Sequence, residues 1–225
     1  MSNFKRLMIR TLRFAARPLP AGTRDWARQV VETRLMSRFP DRAILLKALF
    51  PALHQTSALS NNSKALWIGC RPYTKLYYEL IEQNGAECWS VDIDPDMQPF
   101  GRSGHHITGD MLELRRLFPG NYFDTVLCNG VLGYGVNTPT DQLKAFEAIA
   151  TVTKPDGWLL IGWNTDRMSD PLKFGLADRW FEHAPLPGFA ARYVVDGSTH
   201  VYDTYRRLTR APPSLTTTST TLADH

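Results

Sequence analysis

Cysteine is scarce and follows no ligand spacing in this chain: Cys70, Cys88 and Cys128 stand far apart inside apolar runs, and no CxxC occurs. That excludes a disulfide framework and a thiolate zinc site, and it suits a reducing compartment. His54, His105 and His106 make no metal set either, because adjacent residues on a strand point to opposite faces; no metal is expected. No apolar stretch approaches the roughly 20 residues of a membrane-crossing helix, and the first residues lack the apolar core and small-residue cleavage site of a secretory signal. A cytoplasmic protein is the expectation. Acidic residues are missing from residues 1–24, which carry six basic ones. The asymmetry runs through residues 1–50, net +8, whereas 51–225 carry −4. The overall +4 therefore belongs to the N-terminal fifth of the chain.

What is present reads as an ordinary globular chain. Its 225 residues, 43% apolar and 21% charged, fit one domain with an appendage. Residues 1–60 read as a basic helical extension. In its first helix, over 4–17, Phe4, Leu7, Met8, Leu12 and Ala15 share one face and Arg6, Arg10, Arg13 and Arg17 the other. Pro18 and Pro20 end that helix, and Asp25 and Asp41 are placed to cap two more, running to about Phe39 and Phe50. Polar residues 57–63 read as a linker.

From Lys64 onward, strand-length apolar runs alternate with helix-length segments, the pattern of a parallel sheet covered on both faces. Strands are expected at 65–69, 87–92, 105–108, 123–129 and 158–163, and helices at 74–84, 139–153 and 172–181. Residues 154–157, Lys-Pro-Asp-Gly, form a turn. Two further strands, 192–196 and 200–207, are separated only by Gly197-Ser198-Thr199 and must pair as an antiparallel hairpin. The main domain is thus 64–208, and the Thr-rich residues 211–225 read as a disordered tail.

Gly69, Asp92, Asp110 and the pair Asn129-Gly130 fall at the carboxyl ends of the first four strands, which in an open α/β sheet converge on one crevice. Along the same stretch, Leu66-Trp67-Ile68-Gly69-Cys70, Val91-Asp92-Ile93-Asp94-Pro95, Gly109-Asp110-Met111, Phe123-Asp124-Thr125-Val126 and Lys154-Pro155-Asp156-Gly157 resemble the successive motifs of the class I S-adenosylmethionine-dependent methyltransferases. The resemblance covers about residues 64–207. It implies a Rossmann-like, mostly parallel seven-stranded sheet with a C-terminal antiparallel hairpin, and S-adenosylmethionine as cofactor. Asp92 would then accept both ribose hydroxyl hydrogen bonds, which are strengthened by its charge, and Ile93 would pack on the adenine. Asp110 and the Met111 backbone would meet the adenine edge. Asn129 and Gly130 would lie by the methionine half. Gly69, Cys70, Arg71 and Tyr73 form the loop after the first strand. Here the sequence departs from the family: Arg71 and Tyr73 replace the usual glycines and Trp67 an acidic residue, so Arg71 is a candidate for the cofactor carboxylate.

Methyl transfer needs alignment and exclusion of water more than a nucleophilic residue. Tyr134, Asn164 and His200 are the candidate acceptor-side residues, with His183, Asp166 and Arg167 near the same rim. The sequence 129–135 lacks the Asn/Asp-Pro-Pro-Tyr or Phe signature of many enzymes that methylate planar amino groups, which disfavours adenine or glutamine-type targets; a small-molecule oxygen or nitrogen is taken as the acceptor. A non-catalytic binding module that keeps the fold is the alternative, motivated by Trp67, Arg71 and Tyr73. A nicotinamide-dependent oxidoreductase is disfavoured because GxGxxG is absent. The basic helix has three readings: a lid over the crevice, peripheral contact with an anionic membrane, or nucleic-acid contact, the least favoured because exposed aromatics are not interleaved with its basic residues.

Overall fold

In a computed structural model, residues 38–209 are described; the basic helix at 4–17, the Asp25 cap and the tail at 211–225 lie outside them. The described chain runs α1 (Pro40–Ile44), a π-helical turn (Leu45–Leu49), α2 (Phe50–Gln55), β1 (Lys64–Ile68), α3 (Thr74–Glu82), β2 (Glu87–Asp92), β3 (His106–Thr108), α4 (Leu114–Leu117), β4 (Phe123–Asn129), α5 (Pro139–Val152), β5 (Thr153–Asn164), β6 (Phe181–His183), β7 (Arg192–Val194) and β8 (His200–Arg207).

The sheet order is β3-β2-β1-β4-β5-β8-β6, with β7 also paired to β8. The first five strands are parallel and β8 is antiparallel to β5. β6 pairs with 205–207 and β7 with 201–203, so two short strands lie end to end along one edge of β8 and fill a single seventh position. Short, interrupted edge segments suit that place, because they offer little ladder to a foreign strand.

Side chains alternate between two cores, as a strand period of 2 requires. Leu66, Ile68, Val126, Cys128, Leu159 and Ile161 face one core with Phe146 and Ile149 of α5. Ala65, Trp67, Leu127 and Leu160 face the other with Leu76, Tyr77 and Ile81 of α3 and Leu45, Leu49, Phe50 and Leu53 of the first helical run. Burial of β1 on both faces explains its uninterrupted Ala-Leu-Trp-Ile.

Several local expectations change. Asp41 does not cap a helix: Phe39 is the N-cap residue and Asp41 sits in the first turn of α1. The helical run continues past Phe50 to Gln55 because Pro51, which cannot donate to a helical carbonyl, follows directly on the wide π turn. Residues 57–63 are no loose linker. Thr56 caps a 3-10 turn over Ser57–Leu59, and Ala58 and Leu59 are buried. The helix expected over 172–181 is a series of turns: Gly175 takes φ +58°, outside helical space, and Phe181 has already joined the sheet as β6. The 154–157 turn is a bulge inside β5, with Asp156 at φ +58° and the register to β4 shifting there. Beside it Asp124 accepts from Lys154 Nζ at 2.8 Å and from the Lys64 backbone at 2.8 Å, tying β1, β4 and β5 together.

Candidate active site

The chain places β2 and β3 on one side of β1 and β4 and β5 on the other, so the sheet reverses direction between β1 and β4. Helices leave opposite faces there and open a crevice above the strand ends. A cleft of about 210 Å³ occupies it, lined among others by Gly69, Arg71, Asp92, Ile93, Asp110, Met111, Gly130 and Tyr134. Seven of the ten candidate cofactor residues and one acceptor-side candidate therefore share one wall. A smaller hollow of about 40 Å³ adjoins it, lined by Trp67, Tyr73 and Asn129, and shares Gly69, Arg71 and Gly130 with the first.

Asp92 ends β2 and is 8% exposed. Its Oδ2 accepts from the Cys70 backbone N–H at 2.5 Å and its Oδ1 from that of Asp94 at 2.9 Å, which fixes the carboxylate plane. Arg71 Nη1 lies 3.6 Å from Oδ2. A carboxylate offers about four lone-pair positions, so acceptor capacity toward the cleft remains. Asp110, which also lines the cleft, uses Oδ1 to cap the Leu112 N–H at 2.9 Å.

The glycines carry a second set of constraints. Gly69 sits at φ +88°, where a side chain would also strike Val131 Cγ2 at 2.7 Å. Gly130, at φ +69°, faces open space on the side where a side chain would project. That free approach to the backbone at the crevice floor is what a ligand's charged end needs, and together with the two carboxylates it fits an adenosine with an amino-acid tail.

The loop after β1 resolves differently from a glycine cradle. Cys70 is fully buried, its Sγ near Tyr78 and His106, and burial raises its pKa; only its backbone serves the cleft, through Asp92. Tyr73 does not plug the cleft: its ring packs edge-on against Tyr77 at 5.9 Å and under the Arg42 guanidinium at 3.9 Å. Arg71 Nη1 donates to the Cys70 carbonyl at 2.6 Å, which holds the guanidinium at the rim.

On the acceptor side, Tyr134, Asn164 and His200 converge. Tyr134 Oη donates to Asn164 Oδ1 at 3.2 Å, and His200 Nδ1 lies 3.2 Å from that oxygen. Arg167 sits 5.3 Å from the Tyr134 ring centroid. His183 does not join them; it pairs with Asp203 at 3.2 Å in the β6–β8 edge. Sequence reasoning missed Val131, which closes the cleft over Gly69, and Asp203. No group of three or more metal-ligating side chains occurs among the described residues, and no described helix is long and apolar enough to cross a membrane.

Residues 66–161 match the family described as a methyltransferase domain. A curated relative, the ubiquinone/menaquinone biosynthesis C-methyltransferase UbiE of Proteus mirabilis (strain HI4320), is 28% identical over 167 residues, covering 70% of this chain. The chain spans 62% of that relative's own length. Among solved structures, the N-methyltransferase NodS from Bradyrhizobium japonicum WM9 superposes with a TM-score of 0.57 at 14% identity, over 76% of this chain and 99% of its own. A TehB-like S-adenosylmethionine-dependent methyltransferase from Corynebacterium glutamicum gives 0.54 at 16% identity, over 84% and 100%. At those identities the structures speak for the fold. Residues 66–161 thus carry the methyltransferase-domain match, and the sheet order with its strand-end carboxylates gives the chain the Rossmann-like fold of the class I methyltransferases.

Proposed function

We propose that this protein transfers the methyl group of S-adenosylmethionine to the oxygen or nitrogen of a small-molecule acceptor that enters over Tyr134. The single observation carrying this reading is the cleft itself, in which Asp92, Asp110 and Gly130 face one hollow from three different strand ends. When bound, the cofactor would supply an electrophilic methyl on a sulfonium and leave as S-adenosylhomocysteine, and the proton of an O–H or N–H acceptor would pass to solvent. The protein's own part is positional. Asp92 takes the ribose hydroxyls and Asp110 the adenine amino group, with Ile93 against the ring. Arg71, released from the Cys70 carbonyl, takes the carboxylate end near Asn129 and Gly130. At about 210 Å³ the cleft is below the usual range for ligand sites, roughly 300–1,000 Å³, and a shift of the half-exposed Arg71 side chain at its rim would widen it.

Calorimetry with S-adenosylhomocysteine tests this. Wild type is expected to bind it and to ignore NAD, and Asp92→Ala to lose about 2 kcal/mol, the scale of a hydrogen bond to a charged group. Failure of wild type to bind would favour the non-catalytic module. A second reading, transfer to an electron-rich ring carbon, is favoured by the C-methyltransferase name of the Proteus relative. Turnover with carbon-13 methyl donor separates the two, because the product methyl resonance differs for carbon, nitrogen and oxygen. The lid, membrane and nucleic-acid readings of the basic helix fall on residues outside the described range; vesicle sedimentation with and without residues 1–20 tests the membrane reading.

A further inference from the structure

The acceptor rim is built from three segments far apart in the chain. Tyr134 comes from the loop after β4, Asn164 ends β5 and His200 begins β8, and the antiparallel register sets Asn164 opposite His200. Asn164 Oδ1 receives the Tyr134 hydroxyl, while Asn164 Nδ2 donates to Thr199 Oγ1 at 2.9 Å. An amide oxygen only accepts, so the His200 nitrogen facing it, Nδ1, carries the proton. His200 is 6% exposed, and its edge meets the Tyr202 ring at 4.6 Å. Its Nε2 is buried without a hydrogen-bond partner among the described residues, and burial keeps the imidazole below its ordinary pKa and hence neutral. Asn164 is therefore held in one orientation from two sides.

That fixes what Tyr134 can offer. Its hydroxyl hydrogen is committed to Asn164, and the oxygen lone pairs are what it presents toward the cleft. The ring is 52% exposed. Because Asn164 Oδ1 takes hydrogens from both neighbours, the trio orients a bound molecule and does not carry a proton away. We infer that Tyr134 is a specificity residue that accepts a hydrogen bond from the methyl acceptor, so that the acceptor enters with an O–H or N–H still in place, with Asn164 and His200 as positioning residues. This rests on the reading of the cleft as a methyl-transfer site.

Fluorine NMR titration of the full chain, saturated with S-adenosylhomocysteine, decides it with two probes of the same ring, 4-fluorophenol and 4-fluoroanisole. Wild type is expected to prefer the phenol by roughly five- to tenfold, the worth of one net hydrogen bond. Tyr134→Phe and Asn164→Leu should abolish the preference, and Asn164→Asp, which keeps an oxygen facing both donors, should retain it. Each variant is compared at saturating S-adenosylhomocysteine, so that a change in cofactor affinity does not enter the ratio of the two probes. Equal binding of the two probes by wild type, binding of neither, or a preference that survives Tyr134→Phe would overturn the inference. If Asn164→Leu fails to fold, Tyr134→Phe on an exposed ring still decides. Loss of S-adenosylhomocysteine binding by wild type would instead remove the methyl-transfer reading, and this one with it.

Discussion

Asp92 and Asp203 are both buried carboxylates, yet the two are equipped for different tasks. Asp203 is fully buried on β8 and has every lone-pair position filled. Its Oδ1 accepts from Arg192 Nε at 2.7 Å and faces His183 Nε2 at 3.2 Å, and its Oδ2 accepts from Trp163 Nε1 at 2.8 Å and Arg192 Nη2 at 2.9 Å. Asp92, at a strand end, spends two positions on backbone N–H groups and meets an arginine only at 3.6 Å. Saturation marks a group that holds the fold; spare acceptor capacity beside a cavity leaves one able to take a ligand. Burial by itself distinguishes neither.

The largest expected effect breaks the comparison at its structural end. Asp203→Ala removes the fully buried member of the pair, leaves a partly buried guanidinium and a buried indole short of partners, and should cost about 3 kcal/mol in urea unfolding, the lower end of the range for breaking one side of a buried pair. Cofactor affinity of the folded fraction should stay close to wild type. Asp92→Ala should show the reverse, with the calorimetric loss exceeding any loss of stability. A stability loss under about 1 kcal/mol for Asp203→Ala would mean that Asp170 alone satisfies Arg192, and the distinction would fail.

A smaller effect is expected where the two ends of the site meet. Gly162 lies on β5 beneath Asn129 and His200, and a methyl group there would collide with Asn129 Oδ1 and lie 2.8 Å from His200 Nε2. Gly162→Ala should therefore cost about 1–3 kcal/mol as overpacking, read by thermal unfolding, and should loosen the hold on Asn164. An alanine that is neutral would show that this junction yields, and that His200 does not hold Asn164 firmly.

Much of this was legible in the amino-acid order, for local reasons. β1, β4 and β5 announce themselves by apolar runs, and the Gly197-Ser198-Thr199 turn, with Gly197 at φ +67°, requires the β7–β8 hairpin. Asp92 and Asp110 follow from strand ends alone. The Tyr134, Asn164 and His200 contact does not, because those residues are 30 and 36 positions apart and meet only once β8 inserts antiparallel beside β5. The turns at 172–181 imitate helical spacing with Leu172, Leu176 and Trp180, and only the Gly175 conformation breaks the pattern. The Arg192–Asp203 pair was not legible: a three-residue turn over 197–199 would set Tyr193 opposite Asp203, whereas the turn that forms spans 196–199 and brings Arg192 there.

The gentlest test concerns Asp170, which Arg192 grips through two 2.7 Å hydrogen bonds while also holding Asp203. Those bonds, with help from the Leu172 N–H, pull the Asp170 pKa below the usual carboxylate value. The carboxylate is thus favoured in the folded state. Its stabilisation is complete above the unfolded pKa of about 4 and is lost as pH falls through the lower folded value. Side chains here are partly exposed, so solvent screening keeps the pair's worth within ~0–1 kcal/mol. Comparing wild type with Asp170→Asn in urea at stepped pH isolates it: the stability gap should be steady near neutrality and close below about pH 4. A gap that stays constant into the acid would mean Asp170 contributes by packing or neutral hydrogen bonds. Arg192 would then owe its place to Asp203 alone, which makes the buried carboxylate the sole electrostatic anchor of the hairpin.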